Sequence, residues 1–401
     1  MRTSLRLLGD PPASILAGPT WAAKGFRPFF LLSAAFAATI VPVWLLALSG
    51  LVRTDGYLDP TYWHAHEMLF GFSTAVIAGF LLTAASSWTG RETATGRPLM
   101  ALGALWLAAR VAFFAAAALP RPIVAGVDLA FLPALAFVVG RPIVATRNVR
   151  NYPVLGVLGA LWLADLAMHL DVLGVAPGWR RRGSLAAVDL VTLLILIIAA
   201  RIFPMFTRNA TRVESIHNRP ALDRATVASM LALTLVDLVV PGHLASVVLA
   251  GLTAVLAGLR TSSWGARHTL GQPLLWILHV GHAWIPIGLA LRVASGLTTA
   301  VPPSSALHAL TAGAIGCATL GMMARVSLGH TGRPMVSPRA ATAAFALLVL
   351  AVIVRVAGTL SSATYRPALH AAGALWTLAF VGFLAGYAGI LCRPRVDGKP
   401  G

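Results

Sequence analysis

The sequence predicts an all-α integral membrane protein of about twelve transmembrane helices with both termini cytoplasmic. Three observations carry that expectation. The 401 residues are 58% hydrophobic and only 11% charged, with a mean hydropathy of +0.80. A soluble domain carries about 25% charged residues, so this chain cannot cover a soluble surface and the lipid bilayer is its solvent. Apolar runs of ~20 residues, each long enough to cross a hydrocarbon core, recur along the chain between Pro, Gly and Arg punctuation. Finally, with the N-terminus inside, cytoplasmic segments carry about twenty Lys and Arg and outer loops about six, a positive-inside bias.

Taken in order, the runs place helices near 26–50, 63–87, 98–119, 122–140, 153–174, 184–207, 222–241, 243–260, 272–296, 305–329, 339–361 and 366–392. Pro241-Gly242-His243 leaves almost no loop between the seventh and eighth. Residues 1–25 read as a cytoplasmic segment, amphipathic or loosely ordered and without a cleavable signal pattern. Residues 26–392 form a single membrane domain, and 393–401 a cytoplasmic tail. No loop is long enough to fold as an extramembrane domain, so function resides within the bilayer or at its faces.

The net charge of +18 does not indicate nucleic acid. The arginines fall in short loops between apolar runs rather than in one basic patch. Cys317 and Cys392 both lie in apolar runs, so neither a disulfide framework nor a Cys-based metal motif is available. The C-x-x-C-H pattern of a c-type haem is missing. A faint internal echo exists: LGALWLA occurs at Leu102–Ala108 and Leu158–Ala164, and Arg-Val-Ala/Ser recurs at Arg110, Arg292, Arg325 and Arg355. Duplication and chance recurrence of common apolar residues both account for it.

Ionisable groups inside a membrane cost at least ~2.5 kcal/mol at the midplane and suggest function. Arg110, Arg292 and Arg355 lie in the outer halves of their helices, and Glu67, Asp128, Asp165, Asp189 and Asp237 lie at outer or middle depth. Two accounts are open. The five acids pair the arginines internally, or some arginines bind anionic groups of a ligand through bidentate hydrogen bonds.

The histidines sort by depth. His217, His268 and His330 belong to the cytoplasmic face, His243 and His370 lie near the outer face, and His169 sits about a turn below it. In LHVGHAWIP, His279 and His282 are three apart and share one helix face at mid-depth, with Pro286 loosening the backbone nearby. Two neutral imidazoles there suit haem iron or copper; the alternative is a hydrogen-bonded pair joining helices. His308 lies one turn into the tenth span. In YWHAHEMLFGF, His64 and His66 are ~200° apart on a helix and cannot serve one metal from one face. His64 shares its side with Glu67 and the small residues Gly71, Ala75 and Ala78, which admit a neighbouring helix or a flat cofactor. His66 lies over Phe70, Ser73 and Ile77. Alternatively the helix starts late and both histidines converge from a turn, or His64 is an interfacial histidine. Met322-Met323 reads as core rather than copper ligand.

GFRPFF, HAHEMLFGF with GFLLTAASSWTG, GRP, RIFPMFTRNA, HVGHAW and ARVSLGHTGRP together resemble the NnrS family over nearly the whole chain. The resemblance implies a bacterial inner-membrane protein of twelve helices containing haem and copper. It also implies a role in nitric oxide metabolism, denitrification and protection from nitrosative stress. Within it, His64, His66, His279, His282, His308 and His330 are the candidate metal ligands, and Arg110, Arg292 and Arg355 the candidate partners of haem propionates. The haem would be b-type, the ligand nitric oxide or a related nitrogen oxide, and the electron donor is not specified. The layout is also similar to haem–copper oxidase catalytic subunits. Those carry copper-binding histidines on the sixth and seventh spans, where this chain has Arg201 and Asp237. A membrane transporter for a metal or anion, and a non-catalytic assembly factor, stand as alternative functions.

Overall fold

The protein's structure, a computed structural model, describes residues 19–54, 56–399 and 401. Twelve rods follow one another: α1 (Phe26–Leu48), α2 (Pro60–Thr89), α3 (Gly96–Phe114), α4 (Arg121–Ala145), α5 (Val149–Val172), α6 (Trp179–Thr211), α7 (Pro220–Val239), α8 (Leu244–Thr261), α9 (Pro273–Leu297), α10 (Pro303–Gly329), α11 (Arg339–Gly358) and α12 (Ser362–Cys392). Among the described residues there is no strand. Eleven rods are long and apolar enough to cross a membrane. The twelfth, α7, has 20 residues, about 30 Å of helix, but carries Asp223, Arg224 and Asp237. The expected first 25 residues lie largely outside the described part.

The rod ends follow local chemistry. Pro60 opens α2 because the Asp59 carboxylate accepts from the Thr61 and Tyr62 N–H groups at 3.1 and 3.2 Å. The turn between α7 and α8 is real: Gly242 adopts φ +81°, and the His243 ring accepts from the Ala245 N–H at 3.1 Å. One boundary differs from expectation. Arg180, Arg181 and Arg182 lie in the first turn of α6 rather than in a loop before it. Asp59 and Asp171 pair with Arg180 there, so the helix is charged at its mouth and extends past the apolar run.

The rods close into a ring, with α12 packed on α1. The most buried spans, α2, α6 and α10, also touch one another at the centre. This triangle divides the interior into three compartments. The first lies among α2, α3, α4 and α5, the second among α6, α7, α8 and α9, and the third among α10, α11, α12, α1 and α2. Large apolar side chains such as Phe137, 70% exposed, face outward, as expected where lipid replaces water. Arg27, fully buried, donates to the carbonyls of Leu391, Arg393 and Gly401 at 2.7, 2.8 and 2.9 Å. The start of α1 and the end of α12 therefore share one face of the bundle, here the termini face.

Both α2 and α10 contain a wider π-helical stretch, Glu67–Ser73 and Ala309–Gly316. Such stretches are rare and concentrate at functional sites. Close packing fixes α9 on α10: a Cβ on Gly281 would meet the Ala318 backbone nitrogen at 2.8 Å, whereas one on Gly258 of α8 meets nothing. Gly281→Ala is therefore expected to destabilise the bundle by about 1–3 kcal/mol through overpacking, while Gly258→Ala leaves it unchanged or slightly firmer. Thermal unfolding in detergent checks this; equal melting temperatures for the two variants would contradict the packing.

Candidate functional site

In the first compartment, Arg110 of α3 bridges two acids. It donates to Glu67 of α2 at 2.7 Å and to Asp128 of α4. His66 faces the same group: its Nδ1 lies 3.1 Å from Glu67 Oε1 and its Nε2 3.1 Å from Asp165 Oδ1 of α5. His169 Nε2 lies 3.0 Å from Asp128 Oδ2. Tyr57, in the loop before α2, reaches His169 Nδ1 at 2.7 Å. Burial, then the charges of Asp128 and Asp165, push the Tyr57 phenol above its ordinary range, so it stays a neutral hydroxyl. Helical spacing separates His64 from His66 as expected, but Glu67 turns with His66 rather than with His64. Glu67 itself keeps α-helical backbone, with its N–H on the Trp63 and His64 carbonyls, so it is the side chain that reaches round to His66 and Arg110.

In the second compartment, Arg292 of α9 is held by Asp189 of α6 at 3.1 Å and by Asp237 of α7. Deeper along α9, His279 and His282 both lie against Phe203 of α6, with ring centroids 6.1 and 6.3 Å away. His279 Nε2 meets the Thr207 hydroxyl at 2.9 Å. His282 is fully buried, and neither of its ring nitrogens has a partner. Trp264 stands edge-on to it at 4.7 Å, with the buried Arg260 stacked over that indole at 4.8 Å.

The third compartment contains a cavity of 340 Å³, within the size range of small-molecule sites. Its wall is mainly apolar, built from Val41, Leu69, Phe72, Leu307, Ile315 and Trp376 among others. His64 enters from α2, His308 from α10 and Arg355 from α11. Trp44 of α1 stacks on the His64 ring at 3.9 Å and 15°, which fixes the ring plane. His308 Nδ1 lies 2.7 Å from the Ser304 carbonyl. A carbonyl only accepts, so Nδ1 carries the proton and Nε2 keeps its lone pair. Arg355 is buried, stands 5.4 Å from the Tyr365 ring and has no carboxylate partner among the described residues. Its NH1 lacks any hydrogen-bond partner.

The sequence-predicted residues thus separate. His64, His308 and Arg355 share one cavity; His66 and Arg110 belong to the acid cluster of the first compartment; His279, His282 and Arg292 belong to the second. His330 follows the last residue of α10 at the termini face, beside Phe26 at 5.8 Å. Its Cα is roughly 33 Å along the rod from that of His308. Burial, then Lys24 and Arg395, hold its pKa below the ordinary value. Asp165 and His169 were noted from the sequence only by their depth, and they meet His66 through the fold; Arg27, whose only signal was the GFRPFF motif, and Arg260 were not singled out.

A family model described as NnrS protein matches residues 20–395. No curated protein matches the chain.

Removing one member of a buried ion pair leaves an uncompensated charge and costs about 3–5 kcal/mol. Arg292→Met is expected to lower stability on that scale by orphaning Asp189 and Asp237, and adding Asp237→Asn should recover part of the loss. Thermal unfolding in detergent reads both; a second substitution that adds to the loss would contradict the pairing.

Proposed function

Because the chain belongs to the NnrS family, we propose that it is a haem- and copper-binding protein of the bacterial inner membrane that acts on nitric oxide or protects against it. The observation that carries this reading is the third compartment. It combines an apolar cavity, an imidazole on each of two different central helices and a buried arginine without an acid.

These features match the chemistry of haem, which is flat and largely apolar, bears two carboxylates and takes imidazole on its iron. His64 and His308 are the residues that would hold its iron, one from α2 and one from α10. Ser304 holds His308 in the tautomer that leaves Nε2 unprotonated, and Trp44 orients His64. Arg355 offers its unpartnered NH1 to a propionate. With no C-x-x-C-H motif, c-type attachment is excluded and the group would be held without a covalent bond, as a b-type haem is. When bound, haem would supply a redox-active iron with affinity for nitric oxide. A neutral diatomic partitions into the bilayer and needs no polar pore to reach the cavity.

Copper is assigned to His279 and His282, a buried pair offering imidazole, the donor type that suits it. Arg110 and Arg292 are engaged by carboxylates, which leaves Arg355 for the propionate.

Protein purified from haem-replete cells is expected to show a Soret band that shifts on adding nitric oxide. His64→Ala and His308→Ala should each lose most of the haem, and Arg355→Met should weaken its retention several-fold. His282→Ala should lower copper content with the Soret band intact. A haem-free spectrum, or full haem retention in both histidine variants, would overturn the assignment.

A further inference from the structure

The first compartment holds more acid than its arginine neutralises. Glu67, Asp128 and Asp165 are all buried. Arg110 pairs with the first two. The partners of Asp165 among the described residues are the imidazoles of His66 and His169. Two negative charges therefore remain when both imidazoles are neutral, in a place where uncompensated charge is costly.

The geometry around that excess is not that of simple pairing. His66 Nε2 lies 3.1 Å from Asp128 Oδ2 and 3.1 Å from Asp165 Oδ1. His169 Nε2 lies 3.0 and 3.5 Å from the same two oxygens. One donor atom from each of the four residues falls within 4.8 Å of the others. Ligands 2.0–2.1 Å from a tetrahedral ion stand about 3.3 Å apart, which these separations bracket.

A second observation is independent of the first. Each imidazole has an outer partner on Nδ1: Glu67 Oε1 at 3.1 Å for His66 and the Tyr57 hydroxyl at 2.7 Å for His169. Each therefore turns Nε2 inward with its orientation fixed from behind, as metal-ligating histidines do. Arg110 in turn holds Glu67 and Asp128.

We propose that His66, Asp128, Asp165 and His169 form a site for one divalent first-row transition ion. Two imidazole nitrogens and two carboxylate oxygens suit Zn(II), Mn(II), Fe(II) or Cu(II) and not the softer Cu(I). The two charges of the ion balance the two excess carboxylates. The site ties α2, α4 and α5 together and lies across α2 from the cavity that His64 enters. It does not depend on what that cavity holds.

The test uses the full chain in detergent, stripped with a chelator and dialysed, then titrated with Zn(II) and separately with Mn(II). We expect one equivalent of at least one ion to bind by elemental analysis and to raise the melting temperature. Asp165→Asn, which orphans no arginine, and His169→Gln should abolish both effects. Tyr57→Phe, which removes only an outer partner, should weaken binding about ten-fold or more; Asp237→Asn in the second compartment should leave it unchanged. Wild-type protein that takes up neither ion and melts at the same temperature throughout would overturn the proposal. So would Asp165→Asn and His169→Gln proteins that bind like wild type.

Discussion

An arginine inside an apolar bundle keeps its charge at any pH a cell reaches. Lipid offers it no solvation, so it needs an anion beside it or, like Arg27 at the termini face, several carbonyl oxygens. That requirement orders the polar interior of this protein. Three arginines lie in the same half of the bundle, away from the termini face, one in each compartment. Arg110 takes Glu67 and Asp128, and Arg292 takes Asp189 and Asp237. Arg355 has the Tyr365 ring and an open cavity. Similar side chains at similar depth therefore do different work. Two are neutralised within the chain, and the third faces the cavity with no acid partner among the described residues.

The central triangle of α2, α6 and α10 makes this division possible. Because α2 borders two compartments, its residues two apart along the chain serve different ones: His64 enters the cavity, and His66 joins the acid cluster. Glu67, at the start of the π stretch, accepts from Arg110. α10 has a matching stretch just after His308. In both rods the wider turn follows a histidine that lines the cavity, so the backbone irregularity and the candidate ligands occur together, as functional sites in membrane helices commonly show.

Much of the fold was legible in the sequence, for simple reasons. Apolar runs bounded by Pro, Gly and Arg mark the rods, and alternation of direction gives the depth of every polar residue. The pairing of intramembrane arginines with acids was legible as one of two options. What could not be read was the choice among arginines, since it depends on which helices become neighbours in the ring. Asp165 and His66 are 99 positions apart in sequence and meet at 3.1 Å. Depth places His330 at the face opposite His308, and there it stays, beside Phe26, so membership of the same rod gives it no part in the same site. The π stretches leave no trace in composition, and the expectation that Glu67 shares the face of His64 fails because its side chain reaches round to His66 and Arg110.

In the proposed function, the Arg355 compartment is completed by an anionic, apolar group held between His64 and His308. A cryo-electron-microscopy map of the protein purified from haem-replete cells tests this most directly. Flat density is expected in the 340 Å³ cavity, joined to at least one of the two imidazoles and with an arm reaching the Arg355 guanidinium. A cavity filled by acyl-chain density, or closed by inward movement of α11, would contradict it.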